Sequence, residues 1–342
     1  MNLKDKVVGV LMGGMSSERE ISLLSGERIA SALEKLSYNV KRIYVNEDIV
    51  TVLEKSDIDV AFIALHGTFG EDGCIQGVLE ILGIPYTGSS VMASALAMDK
   101  LKSKELFRLH NIPTPPYYVV RVEDLPRLEE IHGCFGFPVV VKPRREGSSI
   151  GVSIVRKMEH LCESVEKAMK WDEDIIVERY IHGREIAVGL LEGRVLGAIE
   201  VVTDMEFYDY NAKYLDPKTK YIFPARLSPL QHKCVLTLAE QANRALGCSG
   251  ATRVDFIVTE GENEYLLEVD SQPGLTERSL LPQIAAGAGY SFEKFAEAIL
   301  HNSRLHSSAN HPMRKKGKLQ ANEEMYGEFQ TIRQKRKILS LK

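Results

Sequence analysis

The strongest constraint on this chain is the alternation at its start. Short apolar runs at 7–11, 40–45 and 60–65 are separated by segments of helical periodicity at about 17–36, 47–55 and 74–83. A run without polar positions reads as a strand covered on both faces, and helices between such strands supply the cover. That order predicts a parallel α/β lobe. At the start of the first helical segment, Ser17-Glu18-Arg19-Glu20 fits a capping box, with the Ser17 hydroxyl and the Glu20 carboxylate satisfying amides at the helix end.

Further on the pattern changes. A long helical segment near 89–110 stops at Asn111-Ile112-Pro113, and strand-like runs at 138–142, 151–155 and 175–178 surround a helix at 158–171. This predicts a second, mixed lobe. Runs at 185–191 and 194–202 flank Glu192-Gly193 as a hairpin, 229–248 reads as a helix, and 253–258 with 265–269 makes another hairpin. The expected organisation is α/β (α+β), with lobes at 1–88, 89–180 and 181–304 and a tail at 305–342. A chain of 342 residues exceeds one ordinary core, which fits several lobes with a site between them.

Composition narrows the function classes. From Ser303 onward ten Lys or Arg face three Glu, although the whole chain carries a net charge of −4. The tail is therefore a basic unit on an acidic body, read as a solvated or partly helical extension in preference to a nucleic-acid arm. Five cysteines without a Cys-x-x-Cys pair indicate neither a zinc site nor a disulfide framework, and the expected compartment is a reducing cytoplasm. The first residues lack the order of a secretory leader, and the uncharged stretch 81–98 is interrupted by Gly83, Pro85, Gly88 and paired serines, so no membrane span is expected.

Several residue patterns could carry chemistry. The run 139–141 delivers Lys142, and the loop Arg145-Glu146-Gly147-Ser148-Ser149-Ile150-Gly151 returns to a strand. Its amides and hydroxyls either enclose phosphate oxygens or form an ordinary hairpin. It is not a Walker sequence, because no Gly-Lys-Ser/Thr follows and the next element is a strand. Glu178 and Glu185 flank a lobe connection, where they would recognise adenosine or remain solvated. Asp255 sits inside one apolar strand while Glu268 and Asp270 alternate on the next, so a hairpin would aim all three carboxylates at one spot. Such a cluster is costly without cations, and hard oxygen donors suit magnesium. Arg253 shares the Asp255 face, as an oxyanion stabiliser or as a salt-bridge partner. The stretch 207–214, rich in tyrosine and with one lysine, suits a closing lid or a surface loop. His66 ends a parallel strand, either facing a ligand or structural.

Taken in order, these segments resemble the D-alanine:D-alanine ligases of the ATP-grasp superfamily from about residue 5 to 300. The resemblance is carried by Gly13-Gly14 through Glu18-Arg19-Glu20, Leu65-His66-Gly67 with Gly70-Glu71-Asp72-Gly73, Met98-Asp99-Lys100, and Lys142-Pro143 with Arg145-Glu146-Gly147-Ser148-Ser149. It continues through Tyr208-Asp209-Tyr210, Ala212-Lys213-Tyr214, Arg253-Val254-Asp255, Leu267-Glu268, Pro273-Gly274 and Ser279-Leu280. It implies a three-lobed ATP-grasp fold with a Rossmann-like N-terminal lobe, ATP as cosubstrate, and two magnesium ions, or manganese, on Asp255, Glu268 and Asp270. Lys100, Lys142, Ser149, Glu178, Glu185 and Lys213 would bind ATP. Glu18, Ser148, Tyr214, Arg253 and Gly274 would be catalytic, and His66, Ser279 and Leu280 would bind substrate.

The implied reaction activates one D-alanine carboxylate as an acyl phosphate, which a second D-alanine amine attacks, giving a peptidoglycan precursor. A homodimer and a cytoplasmic location are further implications. Alternatives are a related ligase for another amino acid or a D-hydroxy acid, and an ATP-binding paralogue without turnover. The chain departs from the usual family pattern at Arg144 (serine), Asn211 (glutamate), Ala251-Thr252 (a glycine), Asp270 (asparagine) and Arg278 (histidine).

Overall fold

The computed structural model describes residues 3–203, 218–261 and 263–307. The lid candidate at 207–214, with Lys213 and Tyr214, and the tail from 308 onward lie outside the described residues.

The chain opens with β1 (Val7–Gly13), α1 (Arg19–Lys35), β2 (Asn39–Val45), α2 (Ile49–Lys55), β3 (Val60–Ile63) and α3 (Cys74–Leu82). The strands form a parallel sheet in the order β2-β1-β3, with β1 central and buried from Val8 onward, as its unbroken apolar run requires. At the end of β1 the chain turns through Gly13 and Gly14, both near φ +90°, a backbone that side-chain-bearing residues rarely adopt. The capping box expected at Ser17 does not form. Helix α1 begins at Arg19 with Glu18 as an N-cap that makes no side-chain cap bond. Ser16 Oγ instead donates to the His66 carbonyl (2.7 Å) and accepts from the Glu18 amide (3.2 Å). This ties the turn to the end of β3 and leaves the Glu18 carboxylate for the cleft.

The segment expected as one long helix is two, α4 (Val91–Met98) and α5 (Lys100–Leu109). Asp99 breaks it, with ψ +94°, and caps the second helix by accepting from the Lys102 amide at 3.1 Å, a role that short acidic side chains favour. Next come β4 (Tyr117–Val120), α6 (Leu128–His132), β5 (Val139–Pro143), β6 (Ser153–Val155), α7 (Leu161–Ala168) and β7 (Ile175–Arg179). These strands make an antiparallel sheet in the order β4-β7-β5-β6.

The last sheet contains β8 (Arg184–Leu191), β9 (Arg194–Val202), β10 (Lys220–Ile222), β11 (Ala251–Val258) and β12 (Glu264–Asp270), with helix α8 (Pro229–Leu246) between β10 and β11. Its order is β10-β9-β8-β11-β12. Helix α9 (Leu280–Gly287) and α10 (Phe292–His301) follow. Ala97 and Phe107 of α4 and α5 share a core with Val235, Val254 and Phe256, so both helices pack on this third sheet. Burying a phenylalanine contributes about 1.5–3 kcal/mol, more than a helix cap, so Phe107 dominates the placement of α5. Phe295 and Ile299 of α10 return to the first lobe beside Ile29 and Leu33. Tyr86 and Arg304 seal that return by exchanging backbone hydrogen bonds.

Candidate active site

Burial alternates along β11: Val254, Phe256 and Val258 are buried, while Arg253, Asp255 and Ile257 are partly exposed. The antiparallel register sets Asp255 opposite Glu268 and Arg253 opposite Asp270, which brings four charged side chains to one face. Arg253 donates from Nε to Asp255 Oδ1 (2.8 Å) and from Nη2 to Oδ2 (2.9 Å), and its Nη1 lies 3.2 Å from Asp270 Oδ2. Lys100 Nζ lies 3.6 Å from Glu268. Burial would lower the Arg253 guanidinium, but Asp255, Asp270 and Glu268 outweigh it and hold the group well above its ordinary value. The carboxylate cluster is thus partly compensated by the protein's own cations. In donor chemistry the carboxylates also suit magnesium. Among the described residues no three such side chains converge as a ligand set, and Arg253 draws Asp255 and Asp270 to itself.

Next to this wall lies a cleft of about 950 Å³ between the second and third sheets. Lys142, Ser149, Glu178, Glu185 and Asp255 line it. Glu178 is almost fully buried and accepts from Lys142 Nζ (2.6 Å), while Lys104 Nζ sits 2.8 Å from its other oxygen. Burial alone would raise the Glu178 carboxyl, but the two ammonium groups prevail and lower it. Lys104 is driven the other way: its complete burial outweighs Glu178, and with repulsion from Lys142 the ammonium falls to about 8. Sequence reasoning missed Lys104, because nothing in an amphipathic helix bearing Lys100, Lys102 and Lys104 says which lysine turns inward.

A second, smaller cleft of about 90 Å³ adjoins the first along this wall. Glu18, His66, Asp270, Gly274 and Ser279 line it. Lys100, Ser148, Arg253, Glu268 and Leu280 line both clefts, so the two spaces meet there. Only the larger has the volume of an ordinary nucleotide-sized site. Ser148 and Ser149 both have left-handed backbones, φ +46° and +61°, and the Ser148 hydroxyl donates to Glu18 Oε1, linking the Gly147 loop to the first lobe. Gly147 allows this approach, because a Cβ there would stand 2.7 Å from Glu18 Oε2. Ser279 Oγ accepts from the Thr276 amide (3.0 Å) and crowds Gly274.

His66 is buried, with Nδ1 3.2 Å from Glu71 Oε1 and 3.1 Å from the Gln272 carbonyl. Burial together with nearby Asp270 pushes the Glu71 carboxyl up to about 8, against the opposing effect of His66. His66 is displaced upward too: burial opposes its charge, but the Glu71 contact more than offsets that. Glu71 is the second residue missed, although its motif five positions after His66 was visible. Every described candidate from the sequence lines one or both clefts; Lys213 and Tyr214 are outside the described residues.

The chain resembles known proteins along most of its length. A family model described as "D-ala D-ala ligase C-terminus" matches residues 106–301, and one described as "D-ala D-ala ligase N-terminus" matches 49–89. A D-alanine--D-alanine ligase of Geobacter sulfurreducens is 51% identical over 304 residues, spanning 89% of this chain and 96% of that protein. The crystal structure of the Bacillus anthracis D-alanine--D-alanine ligase superposes with a TM-score of 0.77 at 38% identity, over 86% of this chain and 96% of that one. The same enzyme complexed with ATP gives a TM-score of 0.75 over the same shares at 38% identity. With its helices and open sheets arranged as in these enzymes and its sequence matched along most of its length, the chain belongs to the D-alanine:D-alanine ligase family of the ATP-grasp fold.

Proposed function

We infer that the chain joins two D-alanines at the expense of ATP, forming D-alanyl-D-alanine for peptidoglycan. It is an ATP-dependent carboxylate–amine ligase of the family just described. The observation that carries the assignment of space to substrates is the meeting of the two clefts at Lys100, Ser148, Arg253 and Glu268. ATP would lie in the larger one, with Lys142, Lys100, Ser149, Glu178 and Glu185 around it. D-Alanine would occupy the smaller one, with its ammonium at Glu18 and the acceptor near His66, Ser279 and Leu280.

A free carboxylate has a poor leaving group. Transfer of the γ-phosphoryl of ATP to a carboxylate oxygen releases ADP and creates one. The second amine then attacks the carbonyl carbon, phosphate departs with the C–O bond, and the new nitrogen loses a proton. Arg253, backed by the Gly274 amide, would offset charge on the tetrahedral oxygen. Ser148 would hold Glu18 toward the substrate ammonium, and Lys100 and Lys142 would neutralise phosphate oxygens. Asp255, Glu268 and Asp270 would hold magnesium, which when bound neutralises phosphate charge. Tyr214 and Lys213 belong to this proposal as closing-lid residues.

The family resemblance supports a homodimer and a cytoplasmic location. No helix among the described residues is long and apolar enough to cross a membrane. Incubation with ATP, magnesium and D-alanine, followed by mass spectrometry, should yield dipeptide and ADP in equal amounts. ADP release without dipeptide at saturating D-alanine would overturn the assignment.

A further inference from the structure

Arg144 lines neither cleft, yet it is one of the most heavily engaged side chains in the protein. It follows Lys142 by two residues at the end of β5. Its Nε donates to Asp99 Oδ1 (2.7 Å) and its Nη2 to Asp99 Oδ2 (2.6 Å), while Nη1 donates to Asp174 Oδ2. Its carbonyl accepts from the Lys100 amide (3.2 Å), and its own amide donates to the Asp174 carbonyl (3.2 Å). Asp174 also accepts from Arg121 Nε (2.6 Å). The three groups of the Asp99–Arg144–Asp174 bridge are only 10–17% exposed, so solvent screens them weakly.

The bridge joins elements that pack on different sheets, beside the Lys104–Glu178 pair that also links α5 to the second sheet. Asp174 and β5 lie with the second sheet, whereas Asp99 caps α5, which packs on the third. Each end of the bridge adjoins an ammonium facing the larger cleft: Lys100 follows Asp99, and Lys142 precedes Arg144 by two. The loop that carries Ser148 and Ser149 starts at the next residue. A planar fork bonded to both oxygens of Asp99 fixes orientation as well as distance, which a single point charge cannot do.

We propose that Arg144 is a positioning residue for ATP, locking the second sheet onto the start of α5 so that Lys100, Lys142 and the Ser148-Ser149 loop converge on the phosphates. The proposal rests on the nucleotide assignment made above. Burial would raise the Asp99 carboxyl, but Arg144 and the Lys102 amide more than offset it, which keeps the pair ionised around neutrality.

The test uses the full-length protein. Trp171, the only tryptophan, is half exposed, and its Cδ1 would lie 2.9 Å from a Cβ on Gly151 at the end of the same loop, so its emission can follow ADP binding. Arg144→Ala should raise the ADP dissociation constant and the KM for ATP about tenfold, as expected for losing charge-assisted hydrogen bonds, with the D-alanine KM within about twofold. Arg144→Lys should fall between the two proteins. Asp99→Asn, which keeps a capping side chain, should raise the same two constants, and adding it to Arg144→Ala should change little further. Unchanged ADP affinity and ATP KM in Arg144→Ala would overturn the proposal. So would a lowered melting temperature and kcat with the ATP KM unmoved, the mark of a merely structural bridge. A wild-type protein that fails to bind ADP would instead refute the nucleotide assignment and this proposal with it.

Discussion

Lys104→Met removes an ammonium that the fold buries completely. In the native protein this group is brought down from 10.5 to about 8, because loss of water outweighs its attraction to Glu178. Between those two values the unfolded chain holds the proton and the native chain does not. Stability from this side chain therefore rises with pH across that window, and below it the burial penalty is fully present. Integrating the difference in bound protons from about pH 7.5 to about pH 9.5 gives roughly 2 kcal/mol of added stability in the wild type. Methionine has nothing to titrate, and Glu178 stays ionised beside Lys142 at 2.6 Å, so the variant lacks the gain. For a body of this size that difference corresponds to roughly 3 °C in melting temperature. Thermal unfolding of both proteins, followed by circular dichroism at several pH values, should show the wild type gaining that much on the variant as pH rises. Parallel profiles would refute burial as the cause of the lowered value.

Three further outcomes are expected. Asp270→Asn removes one of the carboxylates on Arg253, so a magnesium titration of the ligase reaction should shift to higher metal concentration by several-fold; superimposable curves would contradict a role for Asp270 in metal binding. Ser148→Ala frees Glu18 from its only described cross-lobe hydroxyl, and the KM for D-alanine should rise about tenfold while that for ATP changes little, as steady-state kinetics can check. Gly26→Ala sets two effects against each other. Alanine favours a helix by about 1 kcal/mol over glycine, but its Cβ would stand 2.5 Å from Met12 Cβ, where overpacking costs about 1–3 kcal/mol. The melting temperature should fall, and a rise would show that α1 can move off β1 freely.

How much of this was legible beforehand depended on whether the signal was local. The parallel first sheet was, because a strand buried on both faces needs an unbroken apolar run, and 7–11 and 60–65 are such runs. The shared face of Arg253, Asp255, Glu268 and Asp270 was also legible, since strand residues two apart point the same way and a hairpin fixes who faces whom. The capping box at Ser17 was misread for the opposite reason. The tie that replaced it runs from Ser16 to His66, fifty positions along, and no local pattern announces a partner at that distance.

Many of the strands and helices were readable from the residues alone, though β4, α6, β10, α9 and α10 and the break at Asp99 were not, and the collinear motifs identified the family of the chain and the chemistry it performs. Periodicity and motif spacing are properties of neighbouring residues, so they survive without coordinates. How the charges pair follows from the packing of the folded elements. That packing turned Lys104 inward onto Glu178, set Glu71 against His66, and made Arg144 a bridge from β5 to the cap of α5. Each of these pairings joins residues from different elements or turns one of several equivalent side chains inward. Burial and opposing charge then set its strength, and both depend on where the whole chain has folded.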